Sequence, residues 1–183
     1  MVQQSAGIHT RGEKGFALID LIFVCGVIGV LTSMAMPRLL QARQAAGSAS
    51  AVGTLRTLNS SQLSYAFTCG GGYYAPSLTT LGAIPPGATE GFIPPALSLD
   101  DVITHSNYVL QMTGSPFPGA PATCNGLGAG EASQGFKAAN DSIEATNPRH
   151  FGTNASMTIL EDTATLWDDM PENGDSPVGH LID

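Results

Sequence analysis

From Phe16 to Met36 the chain is one apolar run of 21 residues, broken by a single charge, Asp20. Wound as a helix rising about 1.5 Å per residue, it spans roughly 32 Å, enough to cross the hydrocarbon core of a bilayer. A carboxylate within such a run is costly and therefore marks a functional position. An ordinary secretory signal has an apolar stretch of only about 7–15 residues and then a small-residue cleavage site, which this run does not match.

Beyond Pro37 the pattern changes. No proline occurs from Leu39 to Phe67, and small or apolar residues recur at Ala42, Ala45, Ala49, Val52, Leu55 and Leu58. Steps of three and four predict one helical face. Gly47 and Gly53 weaken the helix by up to about 1 kcal/mol each. Pro37 removes a backbone hydrogen bond, which predicts a kink or local opening. Cys69-Gly70-Gly71-Gly72 ends the helix. The expectation is one stem of about 50 residues, apolar all round in its first half and amphipathic in its second.

Residues 73–105 read as loop, with Pro76, Pro85-Pro86 and Pro94-Pro95. Short turns are expected at Tyr74–Leu81 and at Ser98–Ile103, the latter with Ser98 as cap and Asp101 three residues on. Strand-like runs follow at Tyr108–Met112 and Gly135–Ala139. A hairpin of Arg149–Gly152 and Ser156–Leu160 is expected to turn at Thr153-Asn154-Ala155. Three or four antiparallel strands packed on the stem make an α+β fold. Residues 168–183, acidic and rich in Pro and Gly, read as a mobile tail.

Seven Lys and Arg stand against 15 Asp and Glu, a net charge of −8, which leaves no broad basic face for nucleic acid. The cationic residues ahead of the run favour an N-terminus in the cytoplasm and the bulk of the chain outside. Of the three cysteines, Cys25 lies in the apolar run and reads as a small hydrophobe. Cys69 and Cys124 lie in polar, Gly-rich surroundings of the exported part. There an oxidising compartment favours one disulfide between them, and their spacing does not suit zinc.

Gly15-Phe16-Ala17-Leu18-Ile19-Asp20, behind the cationic Lys14, resembles the processing site of type IV prepilins and type II secretion pseudopilins. Leu18 and Ile19 match that family's continuation. Ala17 stands for its Thr and Asp20 for its Glu. Gly29 and Pro37 sit where pilins carry a helix-loosening glycine and proline, and the likeness covers residues 11–68. Tyr74–Leu81 is similar to the segment after the stem in major pseudopilins.

The resemblance implies a leader over residues 1–15, an inner-membrane and assembly helix over 16–37, and an exported stem over 38–68. A globular domain over 69–167 and the tail would follow. It implies cleavage after Gly15, N-methylation of Phe16, and roles in assembly for Asp20, Gly29 and Pro37. The expected partners are prepilin peptidase, an inner-membrane assembly platform and other subunits, in a periplasmic or cell-surface filament. Loss of residues 1–15 removes Arg11, Glu13 and Lys14 and leaves a charge of −9.

No Gly-x-Ser-x-Gly, phosphate loop or His-Glu-x-x-His occurs, and His9, His105, His150 and His180 are isolated in sequence. A structural protein without cofactor is expected, not an enzyme. Asp168, Asp169, Glu172 and Asp175 are weak calcium candidates whose spacing fits no motif; a solvated acidic stretch is the stronger reading. Two alternatives to a pilus subunit are a secretion pseudopilin and a membrane-tethered binding protein that never polymerises.

Overall fold

A computed structural model describes residues 18–144 and 148–182. The expected leader, with Gly15 and Phe16, lies outside them. The chain divides into two compact units, residues 1–42 and 43–183. Helix α1, Leu18–Thr68, belongs to both. A short α2 (Leu78–Gly82) and a 3₁₀ turn (Pro95–Leu97) follow. Six strands then form β1 (Val102–His105), β2 (Tyr108–Thr113), β3 (Lys137–Ser142), β4 (His150–Asn154), β5 (Ile159–Asp162) and β6 (His180–Leu181). They make one antiparallel sheet in sequence order, β1 to β6, so the fold is α+β.

In the second unit α1 buries Ser48, Ala51, Leu55, Leu58, Gln62 and Tyr65 against the sheet. These steps alternate three and four and hold one face of the helix. The expected face is corrected at its upper end: Ala42, Ala45 and Ala49 are exposed, whereas Leu55 and Leu58 are buried and Val52 is half-buried against the core. A stripe stepping mostly by three falls behind the helical turn by about 60° per step, so its early members leave the face of its late ones. Polar side chains clasp stem to sheet. Asn59 Nδ2 donates to Thr153 Oγ1 at 3.0 Å, and Asn140 Nδ2 donates to the Ala51 carbonyl at 3.1 Å.

The helix ends where expected. The Cys69 and Gly70 N–H groups both donate to the Tyr65 carbonyl. A Cβ on Gly70 would lie 2.2 Å from the Tyr73 carbonyl oxygen and 2.8 Å from the Tyr65 ring, so only glycine fits this close return of the chain. Ser77 caps α2, accepting from Thr80 N–H at 3.2 Å.

The strand expectations hold in kind and slip in register. β2 alternates as read, burying Tyr108, Leu110 and Met112. β3 starts two residues later than expected. β1 was not anticipated; Ser98 closes the 3₁₀ turn instead of opening a helix, and Val102-Ile103 are strand. The β4–β5 turn falls at residues 155–158, not at 153–155. There Asn154 Oδ1 accepts from Ser156 N–H at 2.9 Å and Met157 adopts φ 61°.

The acidic C-terminal stretch, expected to run free of the domain, is hydrogen-bonded to it. Met170 is buried, Asn154 Nδ2 donates to the Pro171 and Gly174 carbonyls at 2.9 Å each, and β6 pairs with β5. Proline and glycine there shape a docked loop. The composition alone does not separate that from a free end.

Candidate functional site

Every residue from Leu18 to Arg43 is exposed, and α1 is long and apolar enough over this part to cross a membrane. Ile19, Phe23 and Met36 are each more than 70% exposed, so the apolar surface runs around the helix without an inward face. Asp20 sits in the first described turn of α1. Thr32 Oγ1 donates to the Ile28 and Gly29 carbonyls at 2.9 and 3.0 Å, and Ser33 Oγ to the Val30 carbonyl at 2.8 Å. These hydroxyls are thereby satisfied within the helix, as an apolar medium requires. A side chain at Gly29 would meet open space. α1 is continuous through Pro37, which lacks the N–H that would bond the Ser33 carbonyl. Cys25, the free thiol of this segment, is also exposed.

In the second unit the end of α1 is tied into the head. Cys69 and Cys124, 55 residues apart in sequence, form a disulfide with their Cα atoms 4.9 Å apart. A loop of that length contributes about 4 kcal/mol in the chain-entropy model. Around it Tyr65 OH donates to Asn125 Oδ1 at 3.3 Å, and Asn125 Nδ2 donates to the Thr80 carbonyl at 2.7 Å. Burial pushes the Tyr65 phenol above its ordinary range, against a smaller opposing pull from Thr123.

Further up the stem, buried Gln62 makes a two-way amide pair with Ala75. Its Nε2 donates to the Ala75 carbonyl at 2.9 Å and its Oε1 accepts from Ala75 N–H at 3.0 Å. Sequence reading missed Ser48, Asn59 and Gln62 as contact residues because they are polar. The signal was their place on the three-four face with Leu55, Leu58 and Tyr65.

The isolated histidines separate. His105 and His180 are exposed. His150 Nδ1 lies 2.9 Å from Asp141 Oδ1, and Asp141 Oδ2 accepts from Thr165 Oγ1 at 2.9 Å. Thr165 thus bonds the carboxylate and not the imidazole, and the cluster joins β3 and β4 to the segment after β5. Arg149 grips Glu161 with two bonds of 2.6 and 2.7 Å, which hold the Glu161 carboxyl below its ordinary range against a smaller opposing effect of burial. Asp101 is partly buried, which raises its carboxyl. Bonds from the Thr79 N–H and hydroxyl and from Ser77 together outweigh that and bring it below the usual range.

Asp168, Asp169 and Asp175 are exposed, while Glu172 accepts from the Ser115 N–H and hydroxyl at 2.9 and 2.8 Å. Among the described residues no three His, Cys, Asp or Glu side chains converge to hold a metal ion. No family model matches the chain, and neither a curated protein nor a solved structure matches it.

Proposed function

We propose that this chain is a structural subunit of a type IV pilus-like filament, cut between Gly15 and Phe16 and polymerised through residues 16–37. One observation carries the reading. A single helix is exposed and apolar from Leu18 to Met36, with Asp20 its only charge, and then continues as the packing partner of a disulfide-closed sheet domain.

The physical logic follows from solvent. The apolar segment waits in the inner membrane, with the N-terminus in the cytoplasm and the head outside. In the filament, copies of it pack against one another and leave lipid. The freed amine of Phe16 and the carboxylate of Asp20 would each be costly in that apolar core; paired between neighbouring copies, each offsets the other. Gly29 and Pro37 loosen the helix where copies must fit together. The role is assembly and display, not turnover, with prepilin peptidase and an inner-membrane platform as partners in processing and assembly.

The direct test is mass spectrometry of the mature protein, with electron microscopy of sheared cell-surface material. N-methylated Phe16 on a chain recovered in filaments is the expected result. The same modified Phe16 on chains confined to the periplasm, beside a secretion secretin, would identify a pseudopilin instead. An uncleaved leader would overturn both.

A further inference from the structure

Charge is segregated along the chain. Residues 21–68 hold Arg38, Arg43 and Arg56 and no acid; residues 69–183 hold two bases and thirteen acids, a net of −11. Arg43 and Arg56 are exposed, and among the described residues neither has a carboxylate partner, the ion pairs there being Arg149–Glu161 and His150–Asp141. Arg56 borders two clefts beside α1, at the β4–β6 end of the sheet. One, of about 320 Å³, is walled by Val52 and Phe151 and by the paired Arg149 and Glu161, and the other, of about 520 Å³, by Leu63 and Leu181; Ile182 joins Arg56 in both. Leu181 is 64% exposed, so the apolar wall is open.

At the opposite edge of the sheet lies a complementary feature. Leu99 and Val102 are 80% and 55% exposed, with exposed Asp100 between them, where the chain enters β1. Asp101 is committed to Thr79, but one oxygen of Asp100 accepts only the N–H of its neighbour.

We propose that the clefts beside α1 receive the Leu99–Asp100–Val102 edge of a second copy of this chain, with Asp100 paired to Arg56. The occupant is chosen by charge: Arg56, without a carboxylate partner among the described residues and on a stretch from 21 to 68 that holds no acid, faces heads that carry a large excess of them. Flanking leucine, valine and isoleucine exclude water from the pair and strengthen it. The two patches differ and lie at opposite edges of one sheet, so the contact is heterologous. Repeated through a rotation that does not close, as the filament reading requires, it makes an open chain of copies and not a two-fold dimer. A handful of side chains on each face is far short of the roughly 20–30 residues a side of a stable interface, so the contact supports stem packing and does not replace it. The inference rests on the filament reading for the repeat of copies.

The test uses the full chain in cells, in a Cys25→Ala background, with Ser60→Cys beside the second cleft and Leu99→Cys on the opposite edge. Mild oxidation of filaments carrying both substitutions should give a ladder of covalent multimers, and each single substitution should give none. Filaments with methylated Phe16 but no ladder would overturn the inference and leave the subunit reading standing. Dimers from Ser60→Cys alone would also overturn it, because they demand a self-facing contact. If the parent makes no filaments, both fall.

A charge swap adds an independent measure. Arg56→Glu or Asp100→Lys alone should lower filament yield about tenfold through like-charge contact, and the two together should recover most of it. A double variant no better than the singles removes the pair.

Discussion

The two parts of α1 are built of similar residues yet fold under opposite rules. Up to Ala42 the described helix buries nothing and carries apolar residues on every side. From Ser48 onward it buries one strict face and turns Arg56, Thr57 and Ser60 outward. The first part is matched to an apolar surround, the second to water on one side and a protein core on the other. A sequence can therefore change solvent in the middle of one helix, and the change is marked by where polar residues begin to respect a face.

The largest effect that separates the two parts is the bridge. Cys69→Ser with Cys124→Ser should destabilise the head by about 4 kcal/mol. Urea unfolding of the full chain in detergent, read by the fluorescence of its single tryptophan, Trp167, measures it. Cys25→Ser, in the exposed apolar part, should leave the same transition in place. Next come matched truncations: Leu55→Ala, at a fully buried site, should cost about 2–5 kcal/mol, whereas Leu31→Ala should leave the unfolding curve of the head unchanged. Equal shifts from the two would end the contrast.

The sequence reading tracked these differences unevenly. The stem, its Gly-rich stop and the alternation of Tyr108, Leu110 and Met112 were legible because periodicity and chain breakers act locally, and the disulfide because only two cysteines lie beyond the apolar run. The upper stem face was misread because alanine carries little information about burial; the face is chosen by Leu58, Gln62 and Tyr65, which meet residues far along the chain. β1 was overlooked although Ser106-Asn107 joins it to β2 with φ of 52° and 66°, a two-residue hairpin turn made without glycine. β6 and the docking of residues 168–182 depend on Asn154 and Asp162 reaching across from other strands, which no local pattern reports. Asp20, Gly29 and Pro37, expected from the resemblance to act in assembly, lie in α1, and Gly15 and Phe16 lie outside the described residues.

Gln62 offers a sharper probe of the packed half. Gln62→Ala removes both bonds to Ala75 and leaves that residue's N–H and carbonyl unpaired in the core, at a cost of about 1–3 kcal/mol. Gln62→Leu, close in volume and equally unable to pair them, should cost a similar amount if unmet polar groups dominate, and clearly less if the cavity does. Denaturation midpoints of the two variants decide which.

The smallest effect concerns pH and is confined to the head. Arg149 holds the Glu161 carboxyl below its ordinary range, so the folded state favours the ionised form more than the unfolded chain does. The resulting stability is fully present above the ordinary glutamate range near pH 4.3. It is lost as pH falls through the lower folded value, where the native carboxylate takes up its proton. Because the Arg149 side chain is 48% exposed, water screens the pair and its worth is no more than about 1 kcal/mol. Asp101, also held low by Thr79, titrates in the same direction, so Glu161→Gln should remove only part of the acid-side loss. The difference in unfolding midpoint between Glu161→Gln and the parent should be greatest near pH 7 and shrink as pH falls through the lowered folded value. A variant more stable than the parent near pH 7 would mean that relief of repulsion among the head's thirteen acids, and not the Arg149 pair, governs the response.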